Sequence, residues 1–288
     1  MKILLLGAKG NLGTVFVNSA LDFPEHVFIG WDKEDLDVTD KSLLDKKISE
    51  LKPDIIINTV AYNNVDQCET SEVAAELAEM LNVTLVRNLA EVSIEHKCTL
   101  VHYSSDYVFS GNDKEGYIES AEPSPINIYG QSKLKGEKEL IRLSGKGLQW
   151  YLIRTARLFG TKGSGENAKP SFFEQMLEIS KHHQDIPVVN DEFGCFTYTP
   201  DLVVATLDLI ASNDGFGIYH LTNEGCVSWY QAAEYYFDCL GASVNLQHIP
   251  GEELVRAAKR PSHSELLNTK RPHLRSWQEA VDEYCKTL

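Results

Sequence analysis

The chain is 288 residues long and carries 42 acidic against 27 basic side chains, a net charge of −15. That balance argues against nucleic acid or an anionic membrane surface as partner, while 43% hydrophobic content is ordinary for a globular protein of one large or two modest domains. No apolar run approaches the ~18 residues that span a bilayer, and Met1-Lys2 leads into a strand rather than a secretory segment. A cytoplasmic protein with free thiols at its six scattered cysteines is expected.

Residues 2–6 are an apolar run of strand length, followed by Gly7-Ala-Lys-Gly10-Asn-Leu-Gly13 and a helical pattern over 14–21. Strand, glycine turn and helix together are the context of a dinucleotide fingerprint. Glycine lets the backbone approach a pyrophosphate, and the helix start offers amide donors. The plainer alternative is a tight βα turn that uses glycine. A second strand, 26–31, ends in Asp32, where a carboxylate meets an adenosine ribose. Lys33 and Lys9 are placed to face a 2′-phosphate instead, so NAD and NADP both stay open.

Helical stretches over 41–51, 71–95 and 131–143 alternate with strands over 54–58, 99–103 and 149–154. This is βαβ alternation, hence a parallel sheet covered on both faces. Ser104 and Ser105 lie at the carboxyl end of the fourth strand, the edge where open α/β sheets bind ligands. A hydroxyl there can hydrogen-bond a carbonyl oxygen as charge develops on it, or simply cap a turn.

Tyr129 and Lys133 stand four residues apart, a spacing that puts both on one helix face. A neighbouring ammonium favours the phenolate and lowers a tyrosine pKa from ~10. Taken alone, such pairs are mostly solvated helix surface.

Together these segments carry a resemblance. The glycine turn, Ser104-Ser-Asp-Tyr-Val-Phe109 and Pro125-x-x-x-Tyr129-x-x-x-Lys133-x-x-Gly-Glu137 resemble an extended short-chain dehydrogenase/reductase. More narrowly, the chain is similar to the dTDP-4-dehydrorhamnose reductase family, through 58–66, 189–194, 217–222, 228–230 and 260–264. The resemblance implies a Rossmann doubly wound parallel sheet over 1–158, joined by parts of 186–222. A smaller, interleaved C-terminal α/β substrate lobe over 159–288 completes it.

The resemblance implies a catalytic Ser105, Tyr129 and Lys133, and an NADP or NAD site at Gly7, Gly10, Asn11, Leu12, Gly13, Asp32, Asp37, Val38, Ala61, Tyr62 and Asn63, with Tyr129 and Lys133 also touching the cofactor. Ser105, Asp106 and Arg157 are implied for a nucleotide-sugar substrate, and a homodimer is a possible assembly. The implied reaction is reduction of the 4-keto group of a nucleotide-linked 6-deoxyhexose. Related readings are an epimerase or dehydratase of the same superfamily, and a regulatory subunit like the β subunit of methionine adenosyltransferase, which resembles this family.

Two departures stand out. Arg154-Thr-Ala-Arg157 replaces the family's Arg-Thr-Ser-Trp, and a polar insertion over 161–169 precedes Ser171-Phe172. Further on, helices are expected over 172–181 and 229–239. The basic segment 256–275 either faces a diphosphate or is a solvated surface. His182-His183 lacks partners at ligand spacing, so no metal is expected.

Overall fold

The computed structural model describes residues 1–166, 168–212 and 214–288. Elements in chain order are β1 (Lys2–Leu6), α1 (Asn11–Asn18), β2 (Val27–Trp31), α2 (Lys41–Leu51), β3 (Ile55–Asn58), α3 (Val65–Thr70), α4 (Glu72–Glu79) and α5 (Leu85–His96). There follow β4 (Thr99–Ser105), α6 (Ile128–Ser144), β5 (Trp150–Thr155), β6 (Leu158–Phe159), α7 (Phe172–Ser180), β7 (Asp185–Val189), β8 (Phe193–Gly194), β9 (Thr197–Tyr198) and α8 (Thr199–Ser212). The chain ends with β10 (Gly217–His220), β11 (Val227–Ser228), α9 (Trp229–Cys239), β12 (Asn245–Ile249) and α10 (Trp277–Cys285).

Because both faces of a parallel sheet are buried, its strands read as unbroken apolar runs. Alternate residues then serve opposite faces. Leu4, Leu6, Ile56, Leu100 and Leu152 pack under α2, α5 and α6. Ile3, Leu5, Ile57, Val101 and Ile153 pack under α1 and α8. The sheet order is β10-β5-β4-β3-β1-β2, all parallel. The order reverses between β1 and β3, which opens a ligand crevice at their carboxyl ends. β10 enters beside β5 from far along the chain, and an aromatic core of Phe159, Phe173, Phe196, Tyr198, Tyr236 and Tyr284 fills the lobe beyond it.

Three expected helices differ from those observed. The pattern over 14–21 starts three residues earlier, as α1, and closes in a 3-10 turn, Ser19–Leu21. The expected helix over 71–95 is interrupted by a π-helical turn, Met80–Thr84, between α4 and α5. Local wide turns of this kind cluster at functional sites. The expected helix over 131–143 begins earlier, with Asn127 as its cap: the side chain accepts from Gly130 N at 2.7 Å. Tyr129 therefore sits in the first turn of α6.

One buried ion pair ties α6 to the sheet. Arg154 on β5 donates from Nε to Glu137 Oε1 at 3.0 Å and from Nη2 to Oε2 at 2.6 Å. Each residue is 1% exposed. Its remaining donors meet the Glu119 carbonyl at 3.3 Å and His220 Nε2 at 3.4 Å. Losing one partner strands a charge in the interior. Glu137→Ala is expected to cost about 3–5 kcal/mol by urea unfolding, while Arg154→Met with Glu137→Leu recovers most of that loss. Equal stability of the single and parent proteins would contradict this account of the pair.

Candidate active site

The glycine turn is built by close approach. Gly7 has φ +81°, in the left-handed region that favours glycine. A Cβ at Gly13 would overlap the Gly7 carbonyl oxygen, so α1 can lie on the turn only without a side chain there. A Cβ at Gly10 would meet that oxygen at 3.3 Å, so this glycine leaves room above the turn. The cradle and the α1 start fit a dinucleotide pyrophosphate.

Asn11 spends its side chain elsewhere: Oδ1 accepts from Gly163 N at 2.9 Å and Nδ2 donates to the Lys169 carbonyl at 2.9 Å. The polar insertion thus rests on the turn, and Asn11 offers a ligand its backbone N–H. Leu12 is buried beneath. Asp32 holds the outer side, accepting from Lys9 N and Lys33 N, each at 2.8 Å. Both lysine side chains are drawn to glutamates, Lys9 to Glu34 at 3.0 Å and Lys33 to Glu166 at 3.2 Å. Asp37 is bound within its own turn by Thr39, and Val38 packs on the core.

Ala61, Tyr62 and Asn63 follow β3 across the crevice. Asn82, from the π-helical turn, clasps Tyr62: Oδ1 accepts its N–H at 2.9 Å and Nδ2 donates to its carbonyl at 3.0 Å. The same Nδ2 donates to Ser132 Oγ at 2.9 Å, beside Lys133. Asn82 is fully buried, and its carbonyl lies where a Cβ at Gly136 would be. The sequence reading missed Asn82; its only signal there is a polar residue on an apolar helix face.

Ser105, Tyr129 and Lys133 converge at the carboxyl end of β4. Gly130 allows it, because a Cβ there would overlap the Tyr107 carbonyl oxygen. Tyr107 and Tyr129 meet edge to face, ring centroids 5.9 Å apart. Ser105 Oγ donates to Asp106 Oδ1 at 2.8 Å, and Ser264 Oγ donates to Asp106 Oδ2 at 2.6 Å. Asp106 is 2% exposed, and burial raises its pKa.

Lys133 Nζ donates to the Tyr103 carbonyl at 2.6 Å and lies 3.5 Å from His102 Nε2. Burial brings Lys133 down to about 8, with Glu137 pulling the other way. Burial, and then the Lys133 charge, hold His102 neutral. The expectation that Lys133 lowers the Tyr129 pKa is corrected. Tyr129 is pushed up, first by burial and next by the Asp106 charge, with the Ser105 hydroxyl opposing. Lys133 sits against the strand backbone, and the desolvation of the half-buried phenol outweighs the pull of that ammonium.

Arg157 lies on the same ligand edge with φ +40°, a strained value for a residue with a side chain. Its Nη1 donates to the Val227 carbonyl at 3.0 Å and its Nη2 to the Glu192 carbonyl at 3.1 Å. The guanidinium stacks 4.0 Å from the Trp229 ring and 5.3 Å from Phe196. Trp229 Nε1 donates to Glu192 Oε2 at 3.2 Å, and Arg256 pairs with the same carboxylate. Ser264, Glu192 and Trp229 were not among the expected site residues, and they reach the cleft from distant parts of the chain.

The arginines of the basic segment are engaged within the chain, while Lys259 and Lys270 are exposed. Each of its four arginines is bound to a carboxylate: Arg256 to Glu192, Arg260 to Asp66, Arg271 to Asp214, and Arg275 to Asp201 and Glu283. It staples the C-terminal segment to the sheet domain and lobe.

The whole chain, residues 1–288, matches the family described as the RmlD substrate binding domain. The chain belongs to this family. It is 35% identical to a dTDP-4-dehydrorhamnose reductase of Aggregatibacter actinomycetemcomitans, covering 93% of this chain and 91% of that one. It is 33% identical to a spore coat polysaccharide biosynthesis protein of Bacillus subtilis, covering 99% and 97%. The crystal structure of dTDP-4-dehydrorhamnose reductase from Bacillus anthracis in complex with NADP superposes with TM-score 0.91, 33% identity and coverage of 100% and 99%. The expected fold and oxidoreductase class hold. No helix among the described residues is long and apolar enough to cross a membrane.

Two glycines are expected to separate in a binding measurement. Gly10→Val is expected to leave a folded protein that has lost NADPH affinity by about a hundredfold or more, or roughly 3 kcal/mol. Gly13→Val is expected to lose affinity and fold together, because its side chain has no room. Unchanged calorimetric affinity in Gly10→Val would remove the turn as the pyrophosphate site.

Proposed function

We propose that the protein reduces the 4-keto group of a dTDP-linked 6-deoxyhexose, with dTDP-4-dehydro-L-rhamnose as substrate and dTDP-L-rhamnose as product. The observation that carries the reading is that β4 ends in Ser105 with Tyr129 beside it in the first turn of α6 and Lys133 anchored to the Tyr103 carbonyl of the same strand, while the glycine turn follows β1 of the same sheet. NADPH or NADH, when bound, supplies the hydride for the carbonyl carbon. The protein's part is to orient the reactants, polarise the carbonyl and deliver a proton.

Tyr129 is the proton donor. Its raised pKa keeps the phenol protonated at neutral pH, which suits an acid rather than a base. Ser105 turns its hydroxyl from Asp106 to the substrate carbonyl oxygen and stabilises the charge that develops there. Asp106, anchored by Ser264, fixes the Ser105 rotamer. Lys133 holds the nicotinamide ribose and places a positive charge near the phenolate left after proton transfer. On the sugar side, Arg157 presents its remaining N–H donors beside Trp229. Free cysteines and the absence of a spanning helix among the described residues support work in the cytoplasm.

Tyr129→Phe removes only the hydroxyl. The expected loss is ~10²–10⁴-fold in turnover, with NADPH affinity nearly intact. Parent turnover of dTDP-4-dehydro-L-rhamnose, followed by cofactor absorbance, would exclude Tyr129 as the donor.

The pH profile carries its own sign. Lys133 loses its proton as pH rises through about 8, so the charge that supports Tyr129 disappears above that value. The kcat/KM profile of the free enzyme is expected to fall on the alkaline side with an apparent pKa near 8. Lys133→Met is expected to abolish that limb as well as weaken cofactor binding. A flat parent profile through this range would contradict the assignment.

A further inference from the structure

Behind the substrate side of the cleft lies a side-chain cluster that the reductase chemistry does not use. Residues 262–266 run extended, with isolated bridges from His263 to Phe193 and from Leu266 to Tyr117. Alternate side chains of an extended segment face opposite ways. Ser264 turns inward to Asp106, and its neighbours His263 and Glu265 come together on the other side, 3.6 Å between Nε2 and Oε2. Cys226, in the loop before β11, brings its Sγ to 3.8 Å from the same His263 nitrogen. The three donor atoms all lie within 4.8 Å of one another, and all three residues are partly buried.

The hydrogen bonding in this cluster is long and shared on one nitrogen, 3.8 Å to the Cys226 sulfur and 3.6 Å to the Glu265 carboxylate. One imidazole nitrogen faces both a thiol and a carboxylate, and its 3.6 Å separation from Glu265 is longer than a good N–H···O bond. The spacing suits a shared cation better. With metal–sulfur bonds of ~2.3 Å and metal–nitrogen or metal–oxygen bonds of ~2.0–2.2 Å, tetrahedral ligands stand about 3.4–3.6 Å apart. The Cys226–His263 and His263–Glu265 separations exceed those edges by only a few tenths of an ångström.

We propose that Cys226, His263 and Glu265 bind one divalent metal ion of the zinc class, with a fourth coordination position left to water. The donor set decides the class. Thiolate and imidazole select zinc and similar borderline metals over magnesium or calcium, which prefer oxygen. The ion would join two segments that shape the substrate side: the loop leading to Val227, whose carbonyl receives Arg157, and the segment 262–266, whose Ser264 holds Asp106. Its role is to position those two side chains, and it takes no part in hydride transfer. The other cluster of possible ligands, Asp45, Glu95 and His96, has no sulfur, and His96 already lies 2.8 Å from Asp45 in an ordinary ion pair.

The test uses the full chain, stripped of metal and titrated with Co²⁺. One equivalent is expected to give the visible bands of a tetrahedral site and a thiolate-to-cobalt charge-transfer band, both displaced by Zn²⁺. Cys226→Ser and His263→Asn are each expected to abolish the charge-transfer band. They should also weaken Zn²⁺ binding by on the order of a hundredfold or more, with unchanged far-UV circular dichroism and NADPH affinity. His96→Ala is expected to leave both signals intact. A parent protein without a stoichiometric tetrahedral spectrum would overturn the proposal. So would a spectrum that survives Cys226→Ser or that His96→Ala removes.

Discussion

The Arg154–Glu137 pair is the constraint on which the arrangement of the site depends. Glu137 lies one helical turn beyond Lys133, and Arg154 lies on the strand next to the one that ends in Ser105. By clamping α6 to β5, the pair fixes the height of Tyr129 and Lys133 over the carboxyl end of β4. Two glycines make that closeness possible, Gly130 against the Tyr107 backbone and Gly136 against the Asn82 backbone. A bidentate guanidinium–carboxylate pair is directional as well as attractive. An apolar pair of equal volume would hold the helix down but would specify its rotation less sharply. The value of this pair lies in geometry more than in stability.

The same closeness sets the electrostatics. Packing α6 on the sheet removes water from Lys133, His102 and Tyr129 together, and desolvation opposes the charged form of each. The result is an ammonium that titrates at about 8, a neutral imidazole and a phenol that keeps its proton. Under the proposed function, a donor poised in this way needs a transition state that demands the proton before it gives it up. Nearby, Asp106 is buried beside two hydroxyl donors and the Arg157 guanidinium, and its charge further discourages ionisation of Tyr129.

Legibility in the sequence followed locality. Five strands of the sheet and the glycine turn come from short local apolar runs that a reader of the chain sees directly, whereas the sixth strand, β10, joins from far along the chain and was expected only as part of 186–222. Tyr129 and Lys133 are legible for the same reason, being four apart on one helix. What escaped depended on distant segments. Asn82 is polar on a helix that reads as apolar, and only the fold reveals that it clasps Tyr62 and Ser132. Ser264 and Glu192 stand in stretches without periodicity. Most carboxylate partners of the basic segment's arginines are invisible locally because they lie far away in the sequence: Asp66, for Arg260, precedes it by 194 residues. The direction of the Tyr129 shift was misjudged because a sequence shows the neighbouring charge but hides the burial.

Arg157 draws these strands together. A guanidinium placed where the family carries an indole brings charge to a place of little water, and burial lowers its pKa while Asp106 pulls it back up. The chain accommodates it with two backbone carbonyls and the faces of Trp229 and Phe196, surroundings that suit a weakly hydrated planar cation. Trp229 is itself held by Glu192, which also receives Arg256, so the substitution is supported by a ladder of alternating charge and aromatic surface. Lysine would satisfy neither the stacking nor the divergent carbonyls. Trp229 brings an aromatic face to this edge from another element, and the Arg157 guanidinium lies stacked next to it. Under the proposed function, a deoxysugar at this edge would meet both an aromatic face for its methyl group and hydrogen-bond donors for its hydroxyls.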